Sequence, residues 1–460
     1  MNGLKNKIEA HNATAAVIGL GYVGLPLAME IVAAGFDVIG IDLDTNKIAT
    51  LKQRTSYILD VPDKSIAAAV GAGTFTPTSD FSELANADTV SICVPTPLSK
   101  SRDPDISFIL SATEEIRKYL HPGQLIVLES TTYPGTTDEL IVPELERSGL
   151  KIGSEFCVAF SPERIDPGNA KFNTRNTPKI VGGITVECTE IARLFYSQFI
   201  DKVIPVSSTK CAEMVKLLEN TFRSVNIGMV NELALMCDLL GVDVYEVIDA
   251  AATKPFGFSP FYPGPGLGGH CIPIDPHYLA WKLKALNFQA RFIGLAAEIN
   301  GMMPSVVTTL VADGLNRVSK SIRGSKIMIL GVAYKKDVSD CRESPALDVM
   351  RLLNDKGAIL SYNDPLVPTL RLGQSVLESV DTTPAEVAEN DCVIILTDHS
   401  VYDFRKIVEA AKLVIDTRNS TKDLHAFKDR IIKLGAGNSV PSDTRHEDGY
   451  KAMPARATAH

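Results

Sequence analysis

Short apolar runs that close on glycine or a polar residue recur along the N-terminal part of the chain. That is the pattern of strands buried on both faces of a parallel sheet. Ala15 to Ile18 reads as one such strand, Gly19-Leu20-Gly21-Tyr22-Val23-Gly24 as a turn, and Leu25 to Ala34 as a helix stopped by Gly35. Phe36 to Ile41 is the next strand and closes on Asp42, so the segment predicts a βαβ unit. Thr89–Val94, Leu125–Leu128 and Cys157–Phe160 are further strand candidates. Near Ser207 the pattern changes. From Thr209 to about Ala252 it is helical and nearly free of glycine and proline, which predicts one long helix and a partner. Thr253–Gly269 is a loop rich in Pro, Gly and Phe, and a second helical stretch runs from Pro276 to about Val318. Strands return at Lys326–Leu330, Ala358–Tyr362, Cys392–Leu396 and Leu413–Ile415. The expected fold is α/β: two Rossmann-like doubly wound domains joined by a central helical domain with a long helix. The expected domains are 1–208, 209–318 and 319–436, with a polar, unpatterned tail at 437–460.

Composition narrows the class. With 460 residues, 45% of them hydrophobic, the chain is too long for one core. A net charge of −9 with mixed signs gives no footprint for nucleic acid or an anionic membrane. No run looks long and apolar enough to cross a bilayer. None of the eight cysteines falls in a CxxC pair, so reduced thiols in a cytoplasmic protein are expected, and no metal site.

Two places carry chemistry. Gly19, Gly21 and Gly24 follow a strand and open a helix, and Asp42 ends the next strand, eighteen positions after Gly24. This context makes the GxGxxG pattern a dinucleotide fingerprint, and a strand-end aspartate favours a ribose 2′-hydroxyl, hence NAD over NADP. The plain alternative is a sharp strand-to-helix turn and nothing more. The second place is Gly264 to Pro276. Cys271 follows Gly268 and Gly269, where a thiol is set for attack on an aldehyde-level carbon and then for hydride loss to a thioester. Its plain reading is a small buried hydrophobe, which is applied to the other seven cysteines. Asp275 with Pro276 reads as N-cap and N1 of a helix, with a carboxylate near the thiol that can move protons. Lys216 and Asn220 lie four apart on one face of the long helix and suit stabilisation of an alkoxide. Met214, Leu217, Leu218, Phe222 and Val225 around them suggest that this face is buried.

In order along the chain, these motifs resemble the nucleotide-sugar 6-dehydrogenases, the UDP-glucose/GDP-mannose dehydrogenase family, over roughly residues 12 to 435. The resemblance rests on Val17 to Pro26, Val94-Pro95-Thr96-Pro97, Glu129-Ser130-Thr131-Thr132, Ser161-Pro162-Glu163-Arg164 and Lys216 with Asn220. It also rests on Gly268-Gly269-His270-Cys271, and on Tyr334-Lys335-Lys336-Asp337 leading to Arg342-Glu343-Ser344-Pro345. The family implies four-electron oxidation of a sugar C6 hydroxyl to a carboxylate with two NAD, for surface polysaccharide precursors. It also implies a homodimer or higher homo-oligomer built on the central helices. By that resemblance Cys271 is the nucleophile, Lys216 and Asn220 steady oxygens, and Asp275 assists proton movement. Glu163 and Thr131 serve the hydrolytic water. Tyr22, Val23, Lys47, Thr96, Thr131 and Arg342 join the glycines and Asp42 at the cofactor. Glu163, Arg164, Lys216, Asn220, Tyr262, Gly268 and Lys335 meet the UDP-sugar. Lys254 to Phe261 stands where UDP-glucose enzymes often carry an arginine. Together with the cysteine loop it resembles the N-acetylhexosamine branch, favouring UDP-N-acetylglucosamine or its galactosamine epimer, then UDP-N-acetylmannosamine or UDP-glucose. A two-electron β-hydroxyacid-type dehydrogenase and an NAD-binding redox sensor are the remaining readings.

Overall fold

A computed structural model describes residues 1–58, 60–99, 103–166, 169, 171–269 and 272–437. Most of the expected tail, from 438 on, lies outside them. Contacts divide the chain into two compact units, Met1–Ser224 with His270–Gly294, and Val225–Gly269 with the chain from Leu295 on.

The first unit is built on eight strands: β1 (Thr14–Ile18), β2 (Asp37–Ile41), β3 (Phe75–Thr78), β4 (Thr89–Ile92), β5 (Leu125–Leu128), β6 (Cys157–Phe160), β7 (Lys179–Gly183) and β8 (Val203–Pro205). Their order is β3-β2-β1-β4-β5-β6-β7-β8, and only β6 and β7 run antiparallel. The chain moves outward from β1 in both directions, so the crevice at the carboxyl end of β1 is the switch point where such sheets bind ligands. The strands are apolar because both faces are covered. Val17, Leu25, Leu27 and Ile31 pack on one side, and Ile18, Ile92, Ile109 and Phe160 on the other. Among the elements that the sequence pattern did not mark are β3 at the sheet edge, β7 and β8, and a short helix at Asn2–Glu9.

The second unit holds β9 (Lys326–Leu330), β10 (Ile359–Asn363), β11 (Thr369–Leu372), β12 (Ser375–Glu378), β13 (Cys392–Ile395), β14 (Val414–Asp416) and β15 (Ile431–Lys433). Five of these form a parallel sheet in the order β10-β9-β13-β14-β15, while β11 and β12 make a separate hairpin. Here the switch point lies between β9 and β13. The fold is therefore α/β with two Rossmann-like sheets, and the long helix Thr209–Leu240 contributes to both units.

One expectation is corrected. The helix Arg291–Arg317 is long and apolar enough to cross a membrane, with a mean hydropathy of 1.3 over its best window. Its Val307, Val311 and Leu315 are fully buried with Ile327, Ile329 and Ile394 in the core of the second unit. A core position accounts for its composition.

Gly331, at the end of β9, has φ of +77°, and a Cβ there would stand 2.4 Å from Thr397 O. Both the left-handed backbone and a rigid backbone neighbour oppose a side chain, so Gly331→Ala is expected to cost about 2 kcal/mol or more. Urea unfolding of wild type and variant measures it.

Candidate active site

The glycine turn sits at the first switch point. Gly19 has φ of +90°, and its missing Cβ would fall 2.6 Å from Cys93 O, while one on Gly24 would fall 1.9 Å from Gly19 O. Gly21 faces open space, with nothing within 4 Å of a Cβ position. Two glycines thus close the turn and the third leaves room for a ligand, which is the division of labour a pyrophosphate requires. The helix Gly24–Ala33 that follows has no side-chain cap on its first amides. Asp42 Oδ2 accepts from Leu20 N at 2.9 Å and from Lys47 Nζ at 3.0 Å, and Oδ1 accepts from Asp44 N. The aspartate therefore braces the turn from the end of β2. Tyr22 is exposed and follows the open Gly21; Val23 is half-buried.

One face of the helix Thr209–Leu240 organises the other side of this unit. Glu213, Lys216, Glu219 and Asn220 fall on that face by helical spacing. Glu213 is buried and accepts from Gly135 N, Thr137 N and the Thr137 hydroxyl at 2.6, 3.0 and 2.7 Å. That fixes the chain just after the Glu129–Thr132 motif. Within the motif, Ser130 donates to Val94 O at 2.8 Å, and Thr132 pairs with Thr136, leaving Thr131 half-buried between them. Lys216 Nζ donates to Glu163 O at 2.7 Å. Glu219 takes the Arg164 guanidinium through two oxygens. Asn220 Nδ2 donates to Asp275 Oδ2. Tyr278, on the helix Asp275–Lys284, donates to Thr96 O at 2.9 Å. Thr96, Thr131, Glu163, Lys216, Asn220 and Asp275 thus lie in one interlocked set.

Several expectations change in detail. Asp275 is the first residue of its helix, after Ile274, and caps nothing. Its carboxylate is buried and goes to Asn220 instead. Burial pushes that carboxyl up to about 6, against the opposing pull of Lys216 and the Asn220 amide. Arg164, expected at the substrate, spends its guanidinium on Glu219 and on Pro178 O. Only part of the apolar surround of Lys216 is buried. Lys216 and Leu217 are, whereas Leu218 and Phe222 are 59% and 52% exposed. Cys271 and His270 lie outside the described residues. Of the other cysteines, Cys211 is exposed and Cys341 half-buried, so the buried-hydrophobe reading holds for the remaining five.

In the second unit the glycine loop is held by amides. Asn231 accepts from Gly264 N at 2.9 Å and donates to Asn300 at 2.8 Å. A Cβ on Gly268 would fall 2.6 Å from Tyr334 Cβ, so Gly268 serves close packing on the loop that carries Lys335. That loop is pinned from beneath. Asp364 accepts from Val332 N, Ala333 N and His399 Nε2, and His399 Nδ1 accepts from Asp337 N at 3.0 Å. Hydrogen bonding outweighs burial and holds the Asp364 carboxyl below its ordinary range. Lys335 is half-buried, Arg342 is exposed and pairs with Asp340, and Tyr262 donates to Asp249 at 2.6 Å. Sequence reading missed Glu213, Glu219, Asn231, Asp364 and His399. Glu213 and Glu219 had a signal, their places one turn before and one turn after Lys216 on the same helix.

Comparison with known proteins gives this geometry a lineage. Three domains of the UDP-glucose/GDP-mannose dehydrogenase family match: the NAD binding domain at residues 13–200, the central domain at 210–302 and the UDP binding domain at 328–423. The UDP-N-acetyl-D-mannosamine dehydrogenase of Methanococcus maripaludis is 35% identical over 88% of this chain and 92% of its own. The UDP-N-acetyl-D-glucosamine 6-dehydrogenase of Pseudomonas aeruginosa is 33% identical over 88% of this chain and 96% of its own. The solved UDP-D-ManNAc dehydrogenase of Pyrococcus horikoshii superposes with a TM-score of 0.84 at 32% identity, covering 93% of this chain and 100% of that one. The chain belongs to the UDP-glucose/GDP-mannose dehydrogenase family and is an NAD-dependent oxidoreductase of UDP-sugars.

Proposed function

We propose that the protein oxidises the C6 hydroxyl of a UDP-N-acetylhexosamine to the carboxylate, through a thiohemiacetal and then a thioester on Cys271. The preferred substrates are UDP-N-acetylglucosamine and its galactosamine epimer, and the uronate feeds surface polysaccharide synthesis in the cytoplasm. UDP-N-acetylmannosamine is the second reading, favoured by the Methanococcus and Pyrococcus relatives. The observation that carries the proposal is the meeting of Lys216 with the Glu163 segment, beside Asn220 on Asp275.

Lys216 and Asn220 steady the C6 oxygen as its proton leaves toward Asp275. NAD, held by the turn at Gly19, Gly21, Gly24 and Asp42 with Tyr22, Val23, Lys47 and Thr96 nearby, supplies the hydride acceptor for both oxidations. The Cys271 thiolate adds to the aldehyde carbon, and its C–S bond is kept through the second hydride loss. Glu163 with Thr131 then aids water in displacing the thiolate. The sum is one alcohol, one water and two NAD giving one carboxylate, two NADH and three protons. Lys335, Tyr262 and Gly268 are assigned to the UDP end and Arg342 to the cofactor phosphates. Arg164 is assigned to shaping the substrate loop.

The same reading includes a homodimer. Met214, Leu218 and Phe222 form an exposed apolar stripe at helical spacing, and Met229, Met236 and Leu240 continue the exposed apolar positions along the helix. The domain limits 1–208, 209–318 and 319–436 belong to it too.

NADH formation across a panel of UDP-sugars tests the substrate, with the N-acetylhexosamines expected to lead. Two NADH per sugar are expected, and none beyond the aldehyde stage in Cys271→Ala; one NADH per sugar in the wild type would sink the mechanism. Asp275 gives a pH signature. Its native carboxyl, at about 6, stays protonated where the unfolded one, near 3.8, has ionised. The stability it contributes is complete below pH 4 and lost as pH rises through 6, by up to about 3 kcal/mol. Asp275→Asn lacks that loss in unfolding measured across pH 4 to 7, and it loses the fall in kcat/KM that wild type shows on acidification through about 6. Finally, Leu218→Glu with Phe222→Glu is expected to halve the mass seen by light scattering, and an unchanged mass counts against the dimer face.

A further inference from the structure

A charged cluster lies behind the Glu163 segment, and the reaction as proposed leaves it idle. Lys179 opens β7 with 6% of its side chain exposed, and Glu129, just past β5, has none exposed. The ammonium donates to Glu129 Oε2 at 2.7 Å, and Glu129 Oε1 accepts from the Tyr196 hydroxyl at 2.5 Å. Lys179 Nζ also stands 4.9 Å from the centre of the Tyr196 ring. Desolvating two such ions costs several kcal/mol each, so a buried pair is weak evidence of stabilisation and asks for another role.

Glu163 supplies that role. Its Oε1 accepts from Arg164 N at 2.6 Å and Ile165 N at 2.7 Å. Its Oε2 is buried and has no hydrogen-bond partner among the described residues, yet it stands 3.7 Å from Lys179 Nζ. An unsatisfied buried carboxylate oxygen is costly unless a charge lies close. The other groups around Glu163 do not replace this cation. Lys216 is spent on the backbone oxygen of Glu163, and Arg164 on Glu219 and Pro178. Cys93, near the same cluster, is fully buried, and burial pushes its thiol well up, so it stays neutral. The segment itself is clamped to β7, since the Ser161 hydroxyl donates to Ile180 O at 2.8 Å.

We propose that Lys179 is a positioning residue for Glu163, holding its carboxylate from behind in the orientation that aids hydrolysis of the enzyme-bound thioester. Glu129 accepts from the ammonium on its other side, a hydrogen bond that the amide oxygen of a glutamine can also accept. This rests on the hydrolytic role given to Glu163 above.

The test follows intact protein mass during turnover, together with the burst and steady-state rate of NADH formation. Three variants are compared with wild type. Glu163→Gln is the reference. Lys179→Met is combined with Glu129→Gln, so that Glu129 is not left as an unpaired buried carboxylate. Glu129→Gln alone keeps the cation. Glu163→Gln and the double variant are expected to accumulate a covalent sugar adduct after a burst of NADH. The double variant's kcat falls about tenfold or more, part of the 10²–10⁴-fold that a positioned acid–base group contributes. Its KM for the UDP-sugar stays within about twofold, since binding is not what is lost. Glu129→Gln alone keeps hydrolysis and shows no adduct. If Glu163→Gln accumulates the adduct and the double variant does not, Lys179 is a structural cation and the inference falls alone. If Glu163→Gln accumulates none, the hydrolytic role of Glu163 falls and takes the inference with it. Should the double variant not fold, Glu129→Gln still decides: an adduct there would mean that the pair acts as scaffold, contrary to the proposal.

Discussion

The hydrogen bond from Lys216 to the carbonyl of Glu163 is the contact on which the arrangement of the first unit turns. It ties the long helix to a loop that leaves β6, and the neighbouring turns of the same helix hold that loop a second time and tie down two more segments. Glu213 takes the chain after β5, Glu219 takes Arg164, and Asn220 takes the start of the helix at Asp275. A helix is stiff over this length, so residues three, six and seven positions apart hold their partners at fixed offsets. Loops that would each wander alone are referred to one rigid ruler. That is the condition catalytic groups require, because small misplacements cost large factors in rate.

The polar residues of that face carry an energetic burden. Glu213 and Asp275 are buried carboxylates, and burial raises both. Each is satisfied differently. Glu213 is met by two backbone amides and a hydroxyl, so it serves as a structural anchor. Asp275 has one side-chain amide and a distant ammonium, which leaves its charge adjustable. The difference in donors separates the two carboxylates more clearly than burial does.

Sequence pattern revealed the elements whose physics is local. The central strands β1, β4, β5, β6, β9 and β13 are mostly apolar because both faces are covered, and such runs stand out. The glycine turn was equally legible, since Gly19 and Gly24 are required by backbone geometry within a few residues. What failed was non-local. Strand β3 contains Pro77 at an edge, and β7 opens on Lys179, which is buried only because Glu129 meets it from fifty positions away. Asp275 beside Pro276 looked like a cap, but Asn220 claimed the carboxylate from fifty-five positions back. Arg164 sits in a recognisable motif, and its spacing said nothing of Glu219. Resemblance named the motif residues in their order, whereas the partners that hold them had no mark of their own.

That asymmetry extends to the way the two units brace their loops. Glu163, Lys216, Asn220 and Asp275 are braced by hydrogen bonds within the first unit. The loop carrying Lys335 is braced separately, by Asp364 and His399 within the second unit. Neither set of braces shares a residue with the other. The segment from Lys254 to Phe261 has exposed side chains such as Phe256, 71% accessible, and lies outside both sets of braces. That segment can therefore vary without disturbing either set of braces, because no hydrogen bond of either set passes through it.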